Sequence, residues 1–390
     1  MTDEVYHNAT PFFTQWVVRS GYLHEPFVVI DVGVQGGPHA RWEYLANYVH
    51  IYGFDPISEV IEALDKSKGP NQFYRAMALG NEDGERQFKV TPNTYESSFY
   101  SSHGDLGTHG GIALGPRTVE VRRLDTLFAA GEIPPADHIK IDCEGFEPEV
   151  IRGARNYLAR SNVLCVFVES NFGVSPGYLR SPFVEICEML SEHRLLVFDL
   201  AAVRTARPSY IAARGRRPWP EPDIMQDWPP PDVGQLGTFN FAFCRDFVAE
   251  ANSPHHFVTL PGASLAPTAD KLIKAMINFE LIGLMDCAVD LAQYYRMQLS
   301  ERIDVDEAIE RLIYRPAHAR YTVDVAECLR MISDLRVRAG ALAHDKRRLE
   351  STVQELENRI AQLDTTKLLA ARLGRRLATA PARLWTRYLA

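Results

Sequence analysis

The chain has 390 residues, 46% of them hydrophobic and 24% charged, the balance of an ordinary globular protein with room for one sizeable α/β domain and further elements. Its formal net charge of −8 argues against a body built to bind nucleic acid. Cys143, Cys165, Cys187, Cys244, Cys287 and Cys328 form no CxxC pair and no paired-histidine spacing, so zinc is not expected; reduced thiols in a cytoplasmic setting are. The opening stretch MTDEVYHNATPFF has no basic start followed by an apolar core, so no secretory signal is expected. No apolar run approaches the ~20 residues of a membrane span.

Residues 10–20 are predicted as a short helix, with Phe12, Phe13, Trp16 and Val17 on one side and Gly21 past its end. Residues 27–37, FVVIDVGVQGG, are the stretch around which the α/β pattern is organised. An apolar β-branched run suits a buried parallel strand, Asp31 closes it, and Gly33, Gly36 and Gly37 make a turn where backbone approaches a ligand. A dinucleotide fingerprint needs glycine at the third and sixth positions from Gly33; those are Gln35 and Pro38, which disfavours a nicotinamide dehydrogenase. What remains, Asp-x-Gly-x-x-x-Gly, has the shape of an S-adenosylmethionine (SAM) loop, and equally of a plain strand–turn–helix corner.

ARWEYLANYV is predicted as a helix over the first strand, HIYGFDP as a second strand ending at Asp55, and residues 58–66 as another helix. Asp55 stands where a nucleotide-binding unit puts the carboxylate that grips ribose, or it caps the next helix. FYRAMALGNEDGERQFKV reads as a third strand and a returning strand, with a hairpin corner at Asp83-Gly84. Residues 97–111 hold four glycines and are predicted to be an exposed loop; its His103 and His109 are either solvated or a proton acceptor.

The block HIKIDCEGFEPEVIRGA, residues 138–154, puts Asp142, Glu144 and Glu147 between a strand and a helix. Strand ends of this kind are where open α/β sheets bind ligands. A helix N-terminus accounts for one or two of the carboxylates, but not for all three beside Lys140. VLCVFVES is a fifth strand ending near Glu169, LLVFDL a sixth, and TFNFAFCRDF the last. Between the last two lies a proline-rich insert, residues 201–237, whose aromatic and basic content suits an acceptor-binding lid.

In this order the blocks resemble the FkbM family of SAM-dependent methyltransferases, most specifically through IKIDCEGFEPEVIRGA followed by VFVES. The resemblance implies a class I, Rossmann-like fold: a seven-stranded, mostly parallel sheet with its last strand antiparallel, within a methyltransferase domain at 1–250. It implies cofactor contacts at Asp31, Gly33, Gln35, Gly37, Asp55, Ala78 and Leu79, and catalytic carboxylates at Asp142, Glu144 and Glu169. The implied activity is O-methyl transfer from SAM to a hydroxyl of a sugar, glycan or related natural product, with a divalent cation as a candidate second cofactor. The family usually carries Glu where Asp55 stands, and Gln35-Gly36 departs from its Ala-Asn-x pattern.

Beyond residue 267 the pattern turns helical, through 267–332. KLIKAMINFELIGLMDCAVDLAQYY is apolar all round and is expected to be buried against EAIERLI or the catalytic domain. Leu335, Leu342, Leu349, Leu356 and Leu363 repeat every seven residues, predicting a coiled coil at 335–363 and a homodimer. The tail 366–390 is basic with an apolar face, and reads as a peripheral contact with the inner face of a membrane or as a docking segment. An inactive scaffold recruiting partners through coil and tail is the alternative from another class.

Overall fold

The computed structural model of the chain describes residues 10–90, 97–99, 115–171, 182–205, 235–254 and 267–313. Strands β1 (Phe27–Val32), β2 (Val49–Asp55), β3 (Gln72–Ala76), β7 (His138–Ile141), β8 (Cys165–Asn171), β9 (Leu195–Thr205) and β10 (Gln235–Arg245) form one seven-stranded sheet. Its order is β3-β2-β1-β7-β8-β10-β9, with β10 antiparallel to both neighbours and the other pairings parallel. Every residue of β1 is buried, as its unbroken apolar run requires of a central strand.

A second sheet of three strands, β4 (Ala78–Leu79), β6 (Gly115–Arg122) and β5 (Gly84–Val90), sits beside the first. This corrects the hairpin expected at Asp83-Gly84: β5 does not return along β3 but pairs antiparallel with β6, Gly84 opposite Val121. Phe88 and Val90 gain burial there against Val119 and Ile57, a partnership separated along the chain and invisible to local pattern.

The sheet is buried on both faces by different sets of helices. Phe27, Val29, Ile51, Cys165 and Cys244 face α1 (Phe12–Arg19), the segment 40–48, and the C-terminal helices α8 (Ala269–Leu281), α9 (Met285–Tyr294) and α11 (Val305–Ile313). Ile30, Val32, Ile139, Ile141 and Val168 face α3 (Leu124–Ala129), α4 (Glu147–Arg152), α5 (Arg155–Ser161) and α6 (Pro182–Ser191). The helix expected after β2 is α2 (Ser58–Asp65), and two short helices, α7 (Phe247–Asn252) and α10 (Arg296–Leu299), join the larger ones. The segment Ala40–Tyr48 is a 3-10 helix kinked at Ala46 (φ 48, ψ −122), not the regular helix expected. Aromatic and Asn residues propagate an α-helix weakly, and only Arg41, Trp42 and Leu45 are buried, too narrow a stripe to impose one.

Gly283, at φ +85, breaks the long apolar run into α8 and α9. Helix α8 is buried continuously from Leu272 to Leu281 against the sheet, while α11 packs on α9 and α1. Polar pins fix α8 in place. Asp137 accepts from Lys271 (2.7 Å), Lys274 (3.1 Å) and the Val28 N–H (3.0 Å). Glu280 reaches across the sequence to accept from the Phe13 N–H (2.9 Å) and from both the N–H and the hydroxyl of Thr14 (2.6 Å each), capping α1.

Among the described residues no helix is long and apolar enough to cross a membrane. His103, His109, most of the proline-rich insert, the heptad run 335–363 and the tail 366–390 lie outside the described residues.

Candidate functional site

Strand alternation assembles the site. On β1, Phe27 and Val29 are core residues of one face, so Asp31 falls on that same face at the strand tip. The same count places Asp55 above Ile51, Lys140 above His138, Glu169 above Phe167 and Cys165, and Asn240 above Ala242 and Cys244. Register then aligns them laterally. Asp31 pairs with Gly53 and Lys140, Lys140 with Phe167, and Glu169 with Asn240. Two residues further along, Asp55, Gly33, Asp142 and Glu169 form a second row across the carboxyl ends of four parallel strands, and Asn240 of the antiparallel β10 joins it opposite Glu169. Apolar residues lower on each strand build the core, and polar residues at its end line a ligand crevice.

That crevice is a single cleft of about 710 Å³. All the residues expected to bind cofactor (Asp31, Gly33, Gln35, Gly37, Asp55, Ala78 and Leu79) line it, and so do Asp142, Glu144 and Glu169. Glu147 does not. Its carboxylate turns back on its own loop and accepts from the Cys143 N–H (2.9 Å) and the Gly145 N–H (3.0 Å), which holds the turn.

Two loops meet in backbone contact beneath the cleft. Gly33 has φ +79, and a Cβ there would lie 1.9 Å from the carbonyl oxygen of Asp142, so only glycine fits. The Gly33 and Val34 N–H groups donate to the Phe54 carbonyl (2.9 and 3.2 Å), tying the turn to β2. Lys140 links the same parts from the side: Nζ donates to the Gly33 carbonyl at 2.9 Å and stands 3.2 Å from Asp142 Oδ2 and 3.6 Å from Asp31 Oδ1. Opposite, Glu144 takes a left-handed φ of 55, and its carbonyl accepts from the Ser98 hydroxyl at 2.8 Å.

The carboxylates differ in state. Asp31 is 5% exposed and its Oδ1 has no hydrogen-bond partner; burial pushes its carboxyl up while Lys140 pulls it down. The cation beside that oxygen is Lys140, 3.6 Å away. Burial pushes Asp55 up to about 6, against the 2.8 Å hydrogen bond its Oδ1 accepts from the Ile57 N–H. Asp55 therefore holds the turn that leads into α2, and it lines the cleft. Burial, with Asp142 and Glu147 nearby, pushes Glu169 up to about 8. The Cys143 thiol, pushed well above its usual range by burial, stays neutral. Among the described residues no three His, Cys, Asp or Glu side chains are grouped to hold a metal ion.

The cleft has two ends. Over β1, β2 and β4 it is a glycine turn, two aspartates and an apolar wall that includes Ile57, Leu79 and the Phe99–Phe146 pair (ring centroids 4.4 Å apart). Over β7, β8 and β10 it is lined by Asp142, Glu169, Asn240, Phe167, Arg41 and His39. Arg41, His39 and Asn240 were missed in the sequence. His39 and Arg41 come after the glycine turn without belonging to a motif, and Asn240 joins only because β10 runs antiparallel beside β8.

Residues 31–195 match the model of the methyltransferase FkbM domain. Over 175 residues the chain is 28% identical to the hexuronic acid methyltransferase AglP of Haloferax volcanii, covering 44% of this chain and 64% of the relative. The match thus spans less than two thirds of that relative's length. Among solved structures, the chain is similar to the methyltransferase FkbM of Methylobacillus flagellatus (TM-score 0.31, 13% identity, 61% of this chain and 50% of that one). It is also similar to the Burkholderia thailandensis 1,6-didemethyltoxoflavin-N1-methyltransferase with bound 1,6-didemethyltoxoflavin and S-adenosylhomocysteine (TM-score 0.25, 13% identity, 60% and 77%).

Proposed function

Taking residues 31–195 as a methyltransferase FkbM domain, we propose that the chain is a SAM-dependent O-methyltransferase acting on a hydroxyl of a sugar, glycan or related natural product. The observation that carries this reading is the placement of Asp31 and Asp55 on adjacent strand tips around a glycine turn, both lining one cleft. Those two acceptors fit a ligand bearing an ammonium and a ribose diol. Asp31 would take the ammonium, Asp55 the diol, and the apolar wall beside Ala78 and Leu79 the base. The sugar class is supported by the relative named for hexuronic acid.

When bound, SAM supplies a methyl group already made electrophilic by its sulfonium. The chain's own work is then to orient the acceptor oxygen, exclude water and remove a proton as that oxygen attacks. Glu169 is the best-matched proton acceptor, because a carboxyl held near 8 has the greater basicity near neutral pH. Asp142, 3.2 Å from Lys140 Nζ, stands in the same row, and Glu144 lines the cleft beside it.

Calorimetric titration with SAM tests the cofactor half, and mass spectrometry of glycans from cells with and without the gene tests the acceptor half through a gain of one CH2. A chain that binds no SAM would return the scaffold reading to the front.

A further inference from the structure

His138, Cys165 and Cys244 form a row across β7, β8 and β10: His138 is the register partner of Cys165, and Cys165 of Cys244. All three are buried, both thiols at 0% exposure, and none of them has a part in the methyl-transfer reading. His138 lines the cleft, its Nδ1 is 2.8 Å from Asn278 Oδ1 on α8, and its ring centroid is 4.8 Å from that of Trp42, edge to face. An amide oxygen only accepts, so Nδ1 carries the hydrogen, and Nε2 of the neutral ring keeps its lone pair.

Register fixes how the two thiols face each other. The Arg245 N–H donates to the Leu164 carbonyl at 3.0 Å, one step from the pair, while the Cys165 N–H turns the other way, to the Asp137 carbonyl at 3.3 Å. Cys165 and Cys244 are therefore a non-hydrogen-bonded pair of an antiparallel ladder, the kind with Cα atoms about 4.5 Å apart and side chains closest together. That separation lies at the short end of the roughly 4.4–6.8 Å that a disulfide spans. Burial opposes a thiolate at Cys165, but Cys244, His138 and Asn278 around its sulfur draw the thiol below its usual range. Burial and the neighbouring Cys165 push Cys244 well above it. One thiol is thus set to attack, and the other to stay protonated until it closes the bond.

We propose that Cys165 and Cys244 are a reversible oxidation site that takes hydrogen peroxide and closes to a cross-strand disulfide. The Cys165 sulfur attacks one peroxide oxygen and the O–O bond breaks, leaving Cys165 as a sulfenic acid. The other oxygen leaves as hydroxide and becomes water with the thiol's proton, held meanwhile by His138. The Cys244 sulfur then attacks the sulfenic sulfur, the S–O bond breaks, and a second water leaves with the Cys244 proton. Two thiols and one peroxide give one disulfide and two waters. Entry is short: His138 lines the cleft and is the register partner of Cys165, so a molecule little larger than water comes within one side chain of the sulfur. The bond joins the two strands that carry Glu169 and Asn240, and the proposal does not depend on the methyl-transfer reading.

The test uses the full chain, fully reduced, exposed to hydrogen peroxide, then unfolded, alkylated and mapped by mass spectrometry. Met297, 90% exposed, is the internal reference, and peroxide is added until it is fully converted to the sulfoxide. The expected result is the loss of both alkylatable thiols, a Cys165–Cys244 peptide two hydrogens lighter than its reduced parts, and recovery of both thiols with dithiothreitol. In Cys244→Ala, Cys165 is expected to stop at a sulfenic acid trapped by dimedone; in Cys165→Ala, Cys244 is expected to stay reduced. Both thiols of the wild type still alkylatable once Met297 is oxidised, a link from either to Cys287 of α9, or Cys165 driven to sulfonic acid with no cross-link each overturns the site. The wild-type map decides the matter by itself if a variant fails to fold.

Discussion

Replacing Asp55 with asparagine should move stability and cofactor affinity in opposite directions. Asp55 is 5% exposed and burial raises its carboxyl from 3.8 to about 6. A folded-state value above the unfolded one means this group's contribution is fully favourable below about 3.8 and is lost as pH rises through about 6. A rise of roughly 2 units at 1.36 kcal/mol each amounts to about 3 kcal/mol of destabilisation in the ionised, ligand-free protein. Asn keeps an oxygen for the Ile57 N–H, so Asp55→Asn removes the buried charge and preserves the cap. The variant should melt higher at pH 7.5 by up to about 6 °C, taking roughly 2 °C per kcal/mol for a body of this size. The gap should close as pH falls from 6 toward 4. SAM affinity should fall about 10- to 100-fold, because hydroxyls donate more strongly to a carboxylate than to an amide. Calorimetric melting across pH, with SAM titrations at pH 7.5, measures both. A variant that melts lower than wild type at pH 7.5, or that binds SAM as well, refutes the reasoning.

Three further outcomes are expected from the same geometry. Gly33→Ala must push the Asp142 carbonyl away from a Cβ 1.9 Å distant and hold alanine at φ +79; it should abolish measurable SAM binding and cost about 2–4 kcal/mol of stability, read by calorimetry and denaturant melts. Transfer by the wild type should rise with pH through about 8 as Glu169 loses its proton, and Glu169→Gln should lower kcat about 100-fold and flatten that limb; a wild-type profile flat from pH 6 to 9 removes Glu169 as the base. Glu280→Ala leaves three donors at the start of α1 without their acceptor and should cost about 3 kcal/mol in urea melts while SAM affinity stays unchanged, since Glu280 serves the fold and not the cleft.

Several cleft residues are legible as a string. Asp31 before a glycine turn, Asp55 before Pro56, and the Asp142-x-Glu144-Gly145 step each mark a parallel strand's carboxyl end, and all of them line one cleft. The heptad and the basic tail are equally visible as patterns, but they lie outside the described residues. Glu147 shares a block with Asp142 and Glu144, and spacing alone did not decide between the cleft and the helix N-terminus for it. Its side chain folded back onto Cys143 and Gly145 because a tight turn leaves N–H groups that need an acceptor.

Local pattern alone determined the strands with their terminal carboxylates and the glycine turn after β1. These are short-range matters of alternation, turn chemistry and burial, written within a dozen residues. Only the tertiary structure decided that β5 pairs with β6, that α8 pins itself to Asp137 on the sheet, and that Arg41 and Asn240 join the cleft. Those outcomes depend on which distant surfaces bury each other and on strand register, and neither leaves a mark in the residues on either side.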